Sequence, residues 1–552
     1  MTAAVEQNVV SLLRRMAERL PDRSALVFGG GDSLGLYVTF SELWERVDRI
    51  SNGFAEEGLR PGDRAIVMVP MSPDLYAALL GLLKLGVIAV FVDPWMGWRQ
   101  IAGFAGFADP RAYVGIGKSH LLRWMDGRLR RVPVTVTTGK RVWRYPAHRT
   151  LAEVERRPGD GRIHAVTSTD SALITFTSGS SGVPKGANRT HGYLAAQHRA
   201  LRGEFHYRDE DVDMPMFPIL ALNNLAMGIP SVVPEMDFRR VDAVDPSRIL
   251  RQMRRHGVTT CTASPPFFDR LARHLGESSD RPKLRRILTG GAPVSDRELR
   301  EWEKAFPDTE VVVVYGSTEA EPVAHVRAAE RLEAVGATRS SPPGYCVGRL
   351  TDRVRARLIR IDSGPVTLDR EGWPAWEVPA GEIGELVVTG DHVCKDYYRN
   401  PSAVLENKIV DPDGEVWHRM GDTGYFDDRD RFWLVGRVHS TIFRDGRAVH
   451  PQLVEQSATG GDGRVQRAAA VGFPSPALGE RVVLALEASP DAALRAEVEA
   501  RLAEAGQPVD EIVFLEEKLP VDPRHNSKID YDRLRLLLHK RLRSSSLDAA
   551  NS

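Results

Sequence analysis

The sequence predicts an α/β protein with a large multi-sheet N-terminal domain and a small α+β C-terminal domain. Three observations carry that expectation. The chain has 552 residues, more than one ordinary core accommodates, so two or more domains are expected. Short β-branched runs alternate with amphipathic stretches through about the first four hundred residues. The texture then changes at Gly436-Arg437, after which a smaller set of strands and helices follows. The boundaries read as 1–436 and 437–552.

Strands are expected at 65–69, 89–92, 173–177, 259–263, 286–289 and 311–315, with helices at 39–59, 246–256 and 295–306. Gly29, Gly30 and Gly31 separate two strand-like segments and read as a hairpin. Residues 75–92 are apolar apart from Lys84 and long enough to span a bilayer. Gly86 divides them into a helix-like half and a β-branched half at 87–92, so a buried helix followed by a buried strand is predicted instead. Alternation of this kind argues for largely parallel sheets, which bind ligands at the carboxyl ends of their strands. Several glycine-rich turns here follow strands directly. No repeat of 20–50 residues is present. Beyond Arg543 the Ser-, Ala- and Asn-rich ending has nothing to bury and is expected to be disordered.

Composition narrows the function classes. The chain is 42% apolar and 27% charged, as a globular protein is. Lys+Arg and Asp+Glu are each 74, which removes the electrostatic reason to expect a nucleic acid or an anionic membrane as partner. Cys261, Cys346 and Cys394 are odd in number and widely spaced, giving neither a disulfide framework nor zinc spacing. Arg14, Arg15 and Glu18 interrupt the apolar stretch that a signal peptide needs. A cytoplasmic protein without a transmembrane segment is expected.

The most informative segment is Thr175-Phe176-Thr177-Ser178-Gly179-Ser180-Ser181-Gly182-Val183-Pro184-Lys185-Gly186, directly after a strand-like run. Glycines let backbone N–H groups approach phosphate oxygens, hydroxyls add donors, and Lys185 adds charge. The spacing from Gly179 to Lys185 is not that of a Walker A loop, and Gly186 stands where that loop has Ser or Thr. G-x-G-x-x-G is also absent.

With this loop the chain resembles the AMP-forming adenylating superfamily of acyl-CoA synthetases, luciferases and peptide-synthetase adenylation domains. The likeness runs in order from about residue 20 to about residue 538, through segments 37–43, 58–67, 290–293, 315–319, 384–390, 421–425, 436–437 and the surroundings of Lys528. It implies ATP and Mg²⁺ as cofactors and a small-molecule carboxylic acid as substrate. In Tyr315-Gly316-Ser317-Thr318-Glu319 it implies a Thr318 hydroxyl on phosphate and Glu319 on the metal, a hard-ion pairing. Gly290-Gly291-Ala292-Pro293 resembles the segment along which adenine lies. Asp422 occupies the position that binds the ribose hydroxyls, a carboxylate being able to accept from both. Arg437 matches the junction arginine reaching the same ribose. Lys528 matches the late lysine that contacts the substrate carboxylate and α-phosphate, where a preorganised cation offsets developing charge.

Some positions depart from the acyl-CoA ligase pattern. Pro218 follows Pro215-Met216-Phe217 where many such ligases have His; His439 and Ser440 stand at the junction in place of an Asp or Lys; Phe443 replaces a later lysine, while Gly446 is kept. These regions serve thioester formation in CoA ligases, so CoA becomes doubtful. Residues 211–218, 233–237, 418–422 and 524–528 resemble the olefin-pathway β-lactone synthetases, which the likeness implies adenylate a β-hydroxy acid and close it to a β-lactone without CoA. Residues 446–455 read like an ordinary CoA ligase. A medium- or long-chain acyl-CoA ligase, a stand-alone adenylation partner of a carrier protein, and a non-catalytic nucleotide-binding homologue therefore stay in view. Phe217, Leu220, Asn223 and Asn224 fall in the segment that borders the acyl group in related enzymes, and either asparagine could meet a substrate hydroxyl. A complex with pathway enzymes cannot be read from the residues.

Overall fold

The computed structural model describes residues 7–32, 34–92, 103, 106–141, 147–177, 185–276, 281–336, 344–369, 371–459, 463–521 and 529–550, with the side chains of Thr177, Asp242 and 543–550 outside this set. A seven-stranded sheet has the order Arg149–Thr150, Val134–Thr138, Ala112–Ile116, Arg64–Met68, Ile88–Phe91, Ser171–Thr177, Lys185–Thr190. Its neighbours are parallel except the final pair, a hairpin in which Thr177 faces Lys185. The apolar segment that could be mistaken for a span is the helix Pro73–Lys84 and the strand Ile88–Phe91, both buried in this layer. Lys84 is buried with them, its ammonium 2.9 Å from Asp48, because a charge in the interior needs a partner. Among the described residues no helix is long and apolar enough to cross a membrane.

The second sheet has fourteen strands and two halves. Ser24–Phe28, Ser231–Val232, Asp213–Pro215, Thr260–Ala263, Arg286–Gly290 and Glu310–Ser317 are mutually parallel. From there the sheet becomes antiparallel through Ala320–Arg327, Tyr345–Leu350, Arg431–Arg437, Val416–Phe426, Gly384–Thr389 and Arg355–Ile359. The expectation of largely parallel sheets thus holds for the seven-stranded sheet and for the first half of this one. Chain length between strands is the reason. A parallel return needs a crossover of a dozen or more residues, whereas Ser317 pairs with Ala320 across only Thr318 and Glu319. Helices fall where expected, at Phe40–Glu56, Pro246–Arg255 and Asp296–Ala305. Thr39 and Glu42 close a capping box on the first, Ser295 and Glu298 on the last. Gly29–Gly31 lies in the antiparallel connection between Ser24–Phe28 and Leu36–Thr39.

Arg437 ends the large sheet, and Ile442 begins a five-stranded one. The smaller sheet runs Arg447–Val449, Ile442–Arg444, Gly479–Glu487, Arg467–Ser475, with Glu511–Leu515 added parallel to Gly479–Glu487. Asp445 and Gly446 take φ of 52° and 72°, the Asp-Gly hairpin turn that both-positive φ values define. The last helix is Tyr531–Ala550. All three cysteines are buried thiols.

Candidate active site

A cavity of about 2340 Å³ opens between the second sheet and the small C-terminal sheet. Strand ends of the large sheet supply its floor, and the helix Pro451–Thr459 of the smaller unit contributes to its far wall. Gln456 on that helix accepts from Gly344 N at 3.2 Å, tying the two sides together.

At one end three predicted residues meet. Strand pairing sets Asp422 opposite Arg437, and Arg437 Nε lies 2.8 Å from Asp422 Oδ1. Tyr315, on the strand Glu310–Ser317, donates its hydroxyl to Asp422 Oδ2 at 2.6 Å. Both carboxylate oxygens are therefore engaged by protein donors. Gly421 reaches Asp422 with φ of 66°, in the region that only glycine enters cheaply. The carboxylate raises the Arg437 pKa, and burial together with Asp422 pushes the Tyr315 phenol well up. Gly290 and Gly291 with Ala292 and Pro293 line the same stretch of cavity. Gly290 is required sterically, because a methyl there would stand 2.4 Å from Val314 O.

The turn Thr318-Glu319 sits at the centre. Thr318 O receives Arg189 Nη2 at 2.7 Å, and Glu319 O receives Cys394 N at 2.7 Å. Tyr397 donates its hydroxyl to Glu319 Oε1 at 3.0 Å. Burial opposes ionisation of Glu319, but Lys408 and the Tyr397 hydroxyl hold the carboxyl below its usual pKa. His418, pushed down to about 3 by burial and by Lys408, is a neutral ring. Lys185 is buried beside this group, 3.2 Å from Asn407 Oδ1 and 3.3 Å from Glu406 Oε2. Ser178, Gly179, Ser180, Ser181 and Gly182 lie outside the described residues; Thr177 and Lys185 form the paired stem that carries them.

Lys528 also lies outside the described residues. Its segment springs from a bridge between Val521 and Ile529, supported by Asp530 N donating to Pro520 O at 2.9 Å. At the junction, Thr441 Oγ1 and Ser440 Oγ donate to Arg437 O at 2.9 and 3.2 Å. His439 lines the cavity, its pKa lowered by burial and by Arg437.

Phe217, Leu220 and Asn223 line the opposite end of the cavity. Asn224 does not. Its amide donates to Asp213 Oδ2 at 2.8 Å and Ser231 Oγ at 3.1 Å behind the wall, because a buried carboxylate needs donors more than the pocket does. Sequence reasoning missed Tyr397, Lys408, Arg189 and Glu321. Only Glu321, two residues beyond the Thr-Glu turn, carried a local signal; the others arrive from strands and loops remote in the chain.

A carboxylate held between tyrosine and arginine, a buried acidic turn and the paired Thr177/Lys185 stem suit the adenylate-forming class of ATP-dependent enzymes. The chain belongs to the AMP-binding enzyme family, which matches residues 13–398. It is 33% identical to the olefin β-lactone synthetase of Stenotrophomonas maltophilia, over 96% of this chain and 97% of that one. It is 29% identical to a feruloyl-CoA synthase from an Amycolatopsis species, over 84% and 86% of the two chains. In fold it is similar to ATP-bound MatB from Rhodopseudomonas palustris, with TM-score 0.77, 22% identity and coverage of 96% and 98%. As a member of this family, the protein activates an acid with ATP.

Proposed function

We propose that this enzyme adenylates a β-hydroxy fatty acid, releasing pyrophosphate, and then closes the acyl-adenylate to a β-lactone with release of AMP. The carrying observation is the likeness to an olefin β-lactone synthetase over 96% of this chain. The altered junction at His439 and Ser440 supports it from the sequence. Attack by the substrate's own hydroxyl is intramolecular and depends on positioning more than on a second binding site.

Residue roles follow from the chemistry of the site. Asp422 and Arg437 take the ribose hydroxyls, a carboxylate acceptor and a guanidinium donor already aligned on neighbouring strands. Thr318, Lys185 and the loop 177–182 take phosphate oxygens. Gly290 to Pro293 leave room for the adenine ring. Glu319 fits Mg²⁺, since it is an ionised, buried carboxylate at the cavity. Among the described residues no cluster of three or more His, Cys, Asp or Glu could hold a metal, which suits an ion bound through one carboxylate and substrate phosphates. Bound there, Mg²⁺ would neutralise phosphate charge. Lys528 supplies the cation opposite the reacting carboxylate, carried by a small domain, 437–552, that moves about the junction.

Release of AMP tests the reaction. With ATP, Mg²⁺ and a β-hydroxy fatty acid but no CoA, AMP should form over many turnovers. An unsubstituted acid of the same length should yield about one acyl-adenylate per enzyme and then stall. Stalling with both acids in the absence of CoA, relieved by adding it, would instead establish the acyl-CoA ligase.

A further inference from the structure

The short helix Ser119–Met125 is built inside out. Its polar residues Ser119, His120 and Arg123 are buried, whereas Leu121, Trp124 and Met125 are exposed by 40%, 39% and 53%. Positions i, i+3 and i+4 share one helical face, so the three apolar side chains form a single stripe towards solvent. The inward side is held by polar contacts. Tyr113 donates its hydroxyl to Ser119 O at 2.9 Å, Ser119 Oγ donates to Ile116 O at 2.8 Å, and Arg123 Nε donates to His120 Nδ1 at 3.3 Å. The Arg123 guanidinium also stands 5.5 Å from the centre of the Trp124 ring. Turning the helix over to bury its apolar stripe would break these contacts, so the fold itself keeps the stripe outward.

The surroundings of the stripe are basic. From 118 to 131 the chain carries Lys118, Arg123, Arg128, Arg130 and Arg131 against one acid, Asp126. Of these, Lys118, Arg128, Arg130 and Arg131 are exposed, and only Arg128 is offset by Asp126, at 3.4 Å. The charge balance of the whole chain conceals this local excess. Ala112–Ile116, which leads into the helix, runs parallel with Ser171–Thr177 through Arg64–Met68 and Ile88–Phe91. The stripe therefore follows the carboxyl end of the sheet, where parallel sheets carry their ligands.

We propose that this face docks the enzyme on an anionic lipid bilayer, with Leu121, Trp124 and Met125 entering the interface and Lys118, Arg130 and Arg131 meeting headgroup phosphates. Apolar side chains gain by leaving water, an indole settles at the headgroup level, and basic side chains are drawn to an anionic surface. A protein partner fits less well. Three partly exposed side chains fall far short of the roughly 800 Å² per partner that a stable protein interface buries. One short stripe with a basic rim gives weak, reversible association rather than anchoring. Docking brings the enzyme to a phase in which long-chain acids concentrate, whichever acceptor the adenylate meets.

Co-sedimentation of the full-length enzyme with lipid vesicles, in the absence of acid and ATP, tests the proposal. Vesicles of equimolar phosphatidylcholine and phosphatidylglycerol should bind at least about tenfold more tightly than phosphatidylcholine alone, and high salt should erase the difference. W124S/M125S and R130E/R131E should each weaken binding about tenfold, while their urea unfolding curves match the wild type. Brominated lipid tails should quench tryptophan fluorescence of the bound wild type, and the quenching should fall in W124F. Absence of vesicle binding, equal binding to both vesicle types, or variants that bind as the wild type does would overturn the proposal, as would undiminished quenching in W124F. A dimer of the free enzyme that W124S/M125S dissolves, without vesicle binding, would overturn it in favour of contact between copies of the chain. No substrate enters the assay, so its failure leaves the proposed reaction standing.

Discussion

The two ends of the cavity are built on opposite principles. At the nucleotide end the polar groups satisfy one another: Asp422 is held by Tyr315 and Arg437, and Glu319 by Tyr397. At the acyl end the wall is mainly apolar, with Leu201, Phe205, Leu220 and Leu288 along it. In the proposed function the first arrangement, already hydrogen-bonded, receives ATP with little rearrangement. The second offers apolar surface to the chain of an acid. A family that always uses ATP but varies its acid would be expected to divide its cleft in this way.

The largest effect is expected from the role proposed for Lys528. K528A should lower carboxylate-dependent pyrophosphate exchange by about 1000-fold, the loss expected for an electrostatic stabiliser of the transition state, while calorimetric ATP binding stays largely intact. Exchange at the wild-type rate would remove Lys528 from the reaction. D422N comes next. It takes the anion away from Arg437 and Tyr315, so KM for ATP should rise at least about tenfold and stability fall by about 2 kcal/mol, as for other broken charge-assisted hydrogen bonds. An unchanged KM for ATP would show that Asp422 serves only the fold.

A pH measurement separates the ends further. His418 is neutral in the fold down to about pH 3 but titrates near 6.5 when unfolded. Between those values the unfolded chain binds the extra proton, so stability rises with pH and is lost as pH falls below the ordinary histidine range. H418Q should flatten the stability–pH curve between about pH 4 and 6 by roughly 1.4 kcal/mol per pH unit, read from urea unfolding. A curve as steep as the wild type would mean that His418 is already protonated in the fold. The smallest effect is expected behind the acyl wall. N224A should cost about 2 kcal/mol of stability by leaving Asp213 short of a donor, with no change in the preference for β-hydroxy acids. A changed preference would bring Asn224 back into the pocket.

Much of this division could be read from the chain, because the nucleotide end is made by local motifs. Tyr315 to Glu319 sit at a strand end and turn, and Gly421 precedes Asp422 within the strand Val416–Phe426 with a positive φ that favours glycine. Arg437 was also legible, although its partnership with Asp422 depends on strand register. The acyl end resisted. Asn223 and Asn224 are adjacent, and only the tertiary packing sends one towards His198 and the other to Asp213. Arg189 and Lys408 reach the site from separate strands, where pattern alone gives an ordinary surface cation. The switch from parallel to antiparallel pairing at Ser317 was hidden too, since the strand Glu310–Ser317 borders both halves.

The fate of the adenylate is the central claim, and mass analysis of the product addresses it most directly. Wild-type enzyme given a racemic β-hydroxy fatty acid, ATP and Mg²⁺ should release, with or without CoA, a product lighter than the acid by one water. A thioester that forms only when CoA is supplied, with no lactone in its absence, would contradict ring closure and make the enzyme an acyl-CoA ligase.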